Sequence, residues 1–314
     1  MVDALLAAFR ARCNPGPFAY PDCHHHPGSG AHGQHVVIGC LIHGNEHGTL
    51  PAAIRLVEAL ESGEIAPGGP VTILLGNPEA ARANQRFLEE DFNRVFTFDR
   101  PAQSHERRRA EEVRPILDAA DVFLDLHQTQ TPTEKPFWTF PWEGDLGLWA
   151  RAIAAAPVGL TRRAGQSFAS GTCCLDEYVR GRGMPGLTVE LGMRGQDPEQ
   201  AERAFGAMRR LIEVVDATAA GASLAELAAA MPAMAWYQTT HVVPAATSEH
   251  RLRPGVCNWT RVAAGERLSP PDAPEILAPA EGYVLFPKYP RPQDPPPPDL
   301  FRLARRVEDP AALL

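Results

Sequence analysis

Residues 35–48, HVVIGCLIHGNEHG, are the stretch from which the fold can be read. Positions 35–42 form a short apolar run of the kind found in buried sheet strands. A helical pattern follows at once, over 51–60. A buried strand that leads directly into a helix predicts a layered α/β protein, whose functional side chains gather where the strands end.

Two candidate metal ligands stand at the end of this strand, His43 and, three residues later, Glu46. An imidazole nitrogen and a carboxylate are two of the three protein ligands in a common type of catalytic zinc site. A third candidate, His127, ends the apolar pattern at 121–126, and Asp125 is a candidate partner for its ring. Taken alone, a histidine is more often a packed or surface side chain. If the strands are parallel, their ends meet at one sheet edge, and this joint placement predicts a zinc site with one open position.

Strand and helix patterns alternate over the first two thirds of the chain. Strands are predicted at 35–42, 71–76, 121–126 and 186–191. Helices are predicted at about 46–61, 102–120, 145–155, 174–181 and 197–217. The alternation indicates an α/β fold in which helices cover a mixed, mostly parallel sheet.

The pattern changes after about residue 230. Short β-like segments, prolines and turn residues replace the alternation. A catalytic domain is therefore predicted at 1–229 and a small β-rich domain at 230–314. The four prolines at 295–298 predict a stiff surface connector.

Composition argues against several classes of function. The formal net charge of −8 and the lack of a clustered basic patch argue against nucleic-acid binding. No apolar stretch is long enough to cross a membrane, and the first residues do not resemble a signal peptide. The six cysteines have no regular spacing, which indicates free thiols and a cytoplasmic location. The histidines at 24–26 are predicted to lie in a loop. A homo-oligomer is left open.

Two further segments contain polar side chains that could act in substrate binding or catalysis. In RFLEEDFNRVF, the guanidinium and amide groups of Arg86, Asn93 and Arg94 are suited to holding a carboxylate, although surface arginines on a loop are the plain alternative. In VELG, Glu190 lies inside an apolar strand. A buried carboxylate without a partner is costly, so Glu190 is either part of a structural ion pair or a general base beside the metal.

Five motifs occur in a specific order: HGNEHG at 43–48, NPEA at 77–80, RFLEEDFNRVF at 86–96, DLH at 125–127 and VELG at 189–192. Together they resemble the succinylglutamate desuccinylase/aspartoacylase family over about residues 35–195. The resemblance implies a three-layer α/β/α fold like that of the zinc carboxypeptidases, with a small C-terminal β domain. It also implies a zinc-dependent hydrolase that acts on linear amides.

The resemblance implies a role for each residue of the reactive centre. One zinc ion per chain would be bound by His43, Glu46 and His127. Glu190 would take a proton from the zinc-bound water and pass it to the leaving amine, while Arg86 would polarise the scissile carbonyl group. The substrate would be an N-acyl amino acid, cleaved to a carboxylic acid and a free amino acid.

The resemblance also implies a binding site for the carboxylates of the substrate. Asn93 and Arg94 would hold one carboxylate, and Arg180 would hold a second. The chain departs from the family pattern at Asp176, where some members have a tyrosine, and Tyr289 aligns poorly with a tyrosine of the family's C-terminal domain. These departures bear on whether the substrate is closer to N-succinylglutamate or to N-acetylaspartate.

Two other functions compete with this interpretation. A metallocarboxypeptidase acting on peptides would need an open site, so a C-terminal domain that caps the site mouth argues against it. A non-catalytic binding module would lack a ligand or the base, whereas His43, Glu46, His127 and Glu190 are all present.

Overall fold

Eleven strands form one mixed sheet among the residues that the structure describes. In this computed structural model these are residues 1–163, 165–245, 247, 249–290, 297 and 299–308. The strands are β1 (Cys23–His26), β2 (Val36–Cys40), β3 (Val71–Leu75), β4 (Val122–Thr129), β5 (Phe137–Pro141), β6 (Val158–Arg162), β7 (Gly186–Met193), β8 (Ala235–Val243), β9 (Thr260–Val262), β10 (Gly282–Leu285) and β11 (Phe301–Val307). The α-helices are α1 (Val2–Arg10), α2 (Leu50–Ser62), α3 (Pro78–Arg82), α4 (His105–Asp118), α5 (Leu146–Ile153), α6 (Leu175–Gly181), α7 (Pro198–Ala219) and α8 (Leu224–Ala229).

The centre of the sheet has the strand order β3-β2-β4-β7, and each neighbouring pair is parallel. These are the four strands predicted from apolar runs. Almost all of their side chains are buried, because helices cover both faces. Parallel strands buried in this way need nearly continuous apolar sequence, which explains why the apolar pattern identified them. Since β2 and β4 are direct neighbours, the segments that follow them meet at one edge.

Alternate side chains of each strand pack into two different helical layers. Val36 of β2 packs with α1, α2 and α7, whereas Val37 packs with α4 and α6. In β4, Phe123 also faces the layer of α4 and α6. Alternation therefore puts Asp125 and His127 on that same face. The arrangement confirms the predicted three-layer α/β/α fold.

Several strands were not predicted, namely β1, β5, β6 and β11. The prediction of a loop at 24–26 was wrong, because these histidines lie in β1, which pairs antiparallel with β3 at the edge of the sheet. An edge strand gains its hydrogen bonds from a neighbour that is distant in sequence, and its polar side chains leave no apolar pattern. The same dependence on distant partners hid β5, which runs antiparallel to β7 and parallel to β6.

The C-terminal strands continue the sheet past its parallel centre. β8 pairs in parallel with β6, and β11, β10 and β9 follow by antiparallel pairing. Leu252, Val284 and Phe301 belong to a separate hydrophobic cluster on this side. The predicted C-terminal β structure is therefore present, while the boundary near residue 230 stays a prediction. Of the prolines at 295–298, Pro297 alone lies within the described residues.

Candidate metal centre

Three side chains with metal-binding atoms converge where β2 and β4 end. His43 Nδ1 lies 2.9 Å from Glu46 Oε1 and 3.1 Å from His127 Nδ1. His127 Nδ1 in turn lies 2.9 Å from Glu46 Oε2. All three side chains are buried, and one ligand atom from each falls within 4.8 Å of the others. The fold thus brings together the three residues that the sequence singled out.

A carboxylate stands behind each of the two histidine rings. His43 Nε2 lies 3.1 Å from Asp91 Oδ1 in a hydrogen bond, and His127 Nε2 lies 2.9 Å from Asp125 Oδ2 in ion-pair range. The second contact is close, but its angle is outside that of a hydrogen bond. A carboxylate at Nε2 favours a proton on that nitrogen. Each ring then presents Nδ1 to the cluster as a lone-pair donor.

The donor set fits a zinc ion. When both Nδ1 atoms, 3.1 Å apart, are unprotonated, their lone pairs face one another, which is unfavourable unless a positive charge lies between them. Two imidazole nitrogens and one carboxylate are the ligands of the His₂Glu class of catalytic zinc sites. The carboxylates at both outer nitrogens are the support that metal-binding histidines usually have.

The loop that carries the first two ligand residues is fixed by close packing. Leu41 begins it with a left-handed φ of 53°, which is rare for a leucine. A Cβ atom at Gly44 would lie 2.3 Å from the carbonyl carbon of Ala80, and one at Gly48 would lie 2.3 Å from the carbonyl oxygen of Gly195. Glycine is needed at both positions because neighbouring backbone approaches so closely.

In addition to its contacts with the histidines, the Glu46 carboxylate accepts hydrogen bonds from three groups. Arg86 Nη1 and Gln130 Nε2 donate to Oε1 over 3.0 and 3.1 Å, and the backbone N–H of Gln128 donates to Oε2 over 3.1 Å. Burial by itself would raise the pKa of Glu46, but the two histidines outweigh it and hold the pKa well below its usual value. Glu46 is therefore an anion ready to bind a cation.

Arg86 links two carboxylates of the site. Besides its bond to Glu46, its Nε donates to Asp91 Oδ2 over 3.1 Å. Burial would raise the pKa of Asp91, but Arg86 and His43 lower it well below its usual value. Because its side chain is partly exposed, Arg86 can also reach a molecule bound over the cluster.

Glu190 lies next to the cluster on β7, where it is the register partner of His127 on β4. It is only 9% exposed, and its Oε2 has no hydrogen-bond partner among the described residues. Burial raises the pKa of Glu190 to about 7, although His127 and Arg86 oppose the shift. A buried, unpaired carboxylate with such a pKa has the properties of a general base.

Asn93 lies directly beside the cluster, and Arg94 is hydrogen-bonded to Asn93 and Cys174. Asn93 Nδ2 lies 3.2 Å from His127 Nε2, and its Oδ1 accepts a hydrogen bond from the Leu175 backbone over 3.0 Å. Arg94 Nη1 donates to the Asn93 carbonyl oxygen over 2.5 Å and contacts Cys174 Sγ at 3.2 Å. No described carboxylate pairs with Arg94 directly, so its guanidinium can accept a carboxylate from a ligand.

Arg180 and Tyr289 do not contact the cluster. The Arg180 guanidinium donates to Asp176 Oδ2 over 2.6 Å and to the Gly186 carbonyl oxygen over 2.8 Å. The Tyr289 hydroxyl donates to the Val256 carbonyl oxygen over 2.7 Å. The substrate-binding role of Arg180 therefore stays a prediction, and its guanidinium is held in an internal ion pair.

Three residues that contact the cluster were not predicted from the sequence, namely Asp91, Gln128 and Gln130. Asp91 immediately precedes the Phe-Asn-Arg segment, which contains two candidate site residues, so its position could have identified it. Gln128 and Gln130 carry no comparable pattern. Their function depends on pairing across the fold: Gln128 Oε1 accepts the Gly48 N–H over 2.9 Å and so ties the ligand loop to β4.

A model of a known protein family matches most of the first two thirds of the chain. A sequence model described as the succinylglutamate desuccinylase/aspartoacylase catalytic domain matches residues 32–215. The matched range covers more than half of the chain and includes every residue of the cluster.

Individual relatives agree with this match. A succinylglutamate desuccinylase from Pseudomonas paraeruginosa is 35% identical over 127 residues, which are 37% of this chain and 37% of that protein. One from Yersinia pestis is 28% identical over 280 residues, covering 81% of this chain and 79% of its own. The structure of the succinylglutamate desuccinylase from Chromobacterium violaceum superposes with a TM-score of 0.72 at 17% identity, covering 98% of each chain. The sequence alignment thus spans little more than a third of the Pseudomonas protein, whereas the structural match to the Chromobacterium protein covers 98% of this chain.

Proposed function

Because the chain belongs to the succinylglutamate desuccinylase/aspartoacylase family, a family of hydrolases, we propose that it cleaves the amide bond of an N-acyl amino acid that bears carboxylate groups. The products are a carboxylic acid and a free amino acid. The observation that carries this proposal is the unpaired, buried Glu190 carboxylate beside the converging atoms of His43, Glu46 and His127.

The metal in this proposal is one zinc ion per chain. His43 and His127 would bind it through Nδ1 and Glu46 through its carboxylate, a set that leaves room for further ligands. When bound, zinc supplies a Lewis acid that activates water and polarises a carbonyl group. Asp91 and Asp125 hold the two rings in the orientation that this binding needs.

Glu190 moves the protons of the reaction. With a pKa near neutrality, its carboxylate can take a proton from the attacking water and later release it to the leaving amine. No described group donates a hydrogen bond to its Oε2, so the carboxylate can hold the proton between the two transfers. Its burial keeps bulk water from competing for that proton.

Arg86 and the Asn93–Arg94 pair position the substrate. Arg86 is fixed by Glu46 and Asp91, so its guanidinium is pre-oriented to donate to the substrate carbonyl oxygen as negative charge develops there. Asn93 and Arg94 present an amide and a guanidinium to a substrate carboxylate. The Asn93 amide lies beside His127, which keeps the carboxylate close to the reacting bond.

The C-terminal region favours a small substrate over a peptide. We propose that residues 230–314 form a unit that narrows the site mouth. Asn258 bonds to the Pro132 carbonyl oxygen just beyond β4, and Phe286 packs edge-on against Phe137 of β5. A long peptide would have to displace these contacts.

We also propose a cytoplasmic enzyme. All six cysteines are free thiols, including the adjacent Cys173 and Cys174, as expected in a reducing compartment. Among the described residues, no α-helix has both the length and the apolar character needed to cross a bilayer.

The test of the proposed function combines metal analysis with a substrate panel. Purified protein should contain about one zinc per chain and should hydrolyse N-acetylaspartate or N-succinylglutamate, with little activity on a dipeptide. Hydrolysis of the dipeptide alone would favour a metallocarboxypeptidase. Zinc binding without any turnover would favour a binding module.

A further inference from the structure

One buried carboxylate, that of Glu106, binds the backbone of residues 88–90. Glu106 lies in the first turn of α4 and is fully buried. Its two oxygens accept hydrogen bonds from three consecutive backbone N–H groups, those of residues 88–90, over 2.7 to 3.1 Å. Asn77 Nδ2 donates a fourth hydrogen bond to Oε1 over 2.9 Å. The course of this backbone segment therefore depends on a side chain that is distant in sequence from the metal ligands.

The charge of Glu106 is stabilised by hydrogen bonds, since no cation among the described residues forms an ion pair with it. Burial by itself would raise the pKa of Glu106, but the four hydrogen bonds outweigh it and lower the pKa below its usual value. A neutral glutamine would offer a single acceptor oxygen, and its N–H₂ group would face donors. Only a carboxylate can accept from all four groups at once, so the buried charge has the effect of fixing residues 88–90.

Residues 88–90 connect two side chains of the reactive centre, Arg86 before them and Asp91 after them. Arg86 Nε donates to Asp91 Oδ2 over 3.1 Å, so the two side chains meet across the base of the segment. Arg86 also donates to Glu46 over 3.0 Å, and Asp91 lies 3.1 Å from His43 Nε2. The placement of both side chains at the centre therefore depends on the backbone that Glu106 fixes.

Glu106 is itself held between two elements. Asn77, which belongs to the NPEA motif after β3, is fully buried, and its Oδ1 caps α3 by accepting the Ala80 N–H over 3.2 Å. At the start of α4, the His105 N–H donates to Glu89 Oε2 over 3.0 Å, so the segment and the helix also bond in the reverse direction. These contacts give the NPEA motif a role, which is to link β3 to the segment through Glu106.

We propose that Glu106 is a positioning residue: by fixing residues 88–90 it holds Arg86 in place for the substrate carbonyl group and Asp91 in place behind His43. This inference rests on the proposed function, in which Arg86 acts on the substrate. Glu106 is fully buried whereas the Arg86 side chain is 29% exposed, so Glu106 acts through Arg86 and does not touch the substrate.

The kinetic test is a double-mutant cycle on the zinc-saturated enzyme. Glu106→Gln, a change that keeps the size of the side chain, should lower kcat by about 10- to 100-fold, as expected when a reacting group is displaced. In an Arg86→Ala background the same change should cost less than about threefold more, because the guanidinium that Glu106 positions is gone. Losses that multiply in the double variant, or full activity in Glu106→Gln, would overturn the proposal.

Two further variants separate the charge of Glu106 from the packing of its helix. Glu112→Gln, an exposed change on α4, is the matched control and should leave kcat unchanged. Glu106→Asp keeps the charge and should recover part of the loss, whereas a loss equal to that of Glu106→Gln would show that the charge is not what holds the segment. If Glu106→Gln does not fold, Glu106→Asp takes its place in the cycle with Arg86→Ala.

A measurement of zinc affinity does not depend on turnover and separates this proposal from the proposed function. By competition with a chelator, Glu106→Gln should bind zinc about tenfold more weakly, because Asp91 no longer supports His43 firmly. In an Asp91→Asn background Glu106→Gln should have no further effect. Unchanged zinc affinity in Glu106→Gln would overturn the proposal even if amide hydrolysis is found. Weaker zinc binding that depends on Asp91, in a protein without hydrolytic activity, would support the positioning role and refute the proposed reaction.

Discussion

At the scale of single residues, the surroundings shift the pKa values of four carboxylates near the cluster in different directions. Burial would raise the pKa of all four. Glu46 and Asp91 face positive partners that reverse this effect, so both stay charged. Asp125 and Glu190 are buried with weaker compensation, so the pKa of each is raised. The first pair is suited to binding and orienting positive groups, whereas Glu190 is suited to exchanging protons.

The first residue-scale prediction concerns Glu190→Gln. The variant should keep its zinc, because Glu190 is not one of the three converging ligand residues. It should lose kcat by about 100- to 10,000-fold, the range contributed by a general base. Zinc content and steady-state kinetics measure the two effects, with the exposed Glu134→Gln as control. Retention of full turnover would exclude Glu190 as the base.

A second prediction at this scale concerns Asp91→Asn. Loss of the carboxylate behind His43 removes the preference for a proton on Nε2 and also frees Arg86. Zinc affinity should fall by about 10- to 100-fold. Competition with a chromophoric chelator measures it, and Asp99→Asn on an exposed loop is the control. An unchanged affinity would show that His43 is oriented without Asp91.

At the scale of elements, β2 leads into the loop that carries two of the candidate ligands. The histidine at the start of the same strand is held neutral. His35 Nδ1 lies 3.1 Å from the Ala119 carbonyl oxygen, so this nitrogen must donate. Its Nε2 lies 2.8 Å from the Thr72 hydroxyl and accepts from it. Burial lowers the pKa of His35 to about 4, with a further contribution from the nearby His25. Protonation would put a charge in this buried site and reverse the direction of the Thr72 bond.

This arrangement predicts a pH dependence of stability. Between about pH 6.5 and pH 4 the unfolded chain binds a proton at His35 that the folded protein does not, so the free energy of unfolding falls as the pH is lowered. The contribution of this residue is up to about 3 kcal/mol. Denaturant unfolding at pH 7 and pH 4 should show a smaller loss for His35→Gln than for the unmodified protein. The exposed His241→Gln should not reduce the loss, and equal losses for His35→Gln would contradict the assignment.

At the scale of the whole molecule, the candidate metal centre joins segments that are far apart in sequence. The ligand loop after β2 and the end of β4 meet there, next to Glu190 on β7. A metal that binds only the folded arrangement of these segments must stabilise the entire fold.

The corresponding prediction is a metal-dependent melting temperature. Removal of zinc by a chelator should lower Tm, and added zinc should restore it. Zinc at about 100 times its Kd contributes about 2.7 kcal/mol of stability. Glu46→Gln should show a much smaller response, because one of the three ligand groups has lost its charge. The same zinc-induced rise in Glu46→Gln as in the unmodified protein would show that the stabilising ion binds elsewhere.

The sequence by itself determined the fold class, the central strands and the residues from which a zinc site could be built. Apolar runs such as 71–76 reveal buried strands because every side chain there must avoid water. Motif order then led to the family, which the match at 32–215 shows. The tertiary structure alone decided which side chains have partners: Asp91 supports His43, and Arg180 is taken up by Asp176. Pairing of this kind depends on contacts between residues distant in the chain, and a local sequence pattern does not record such contacts.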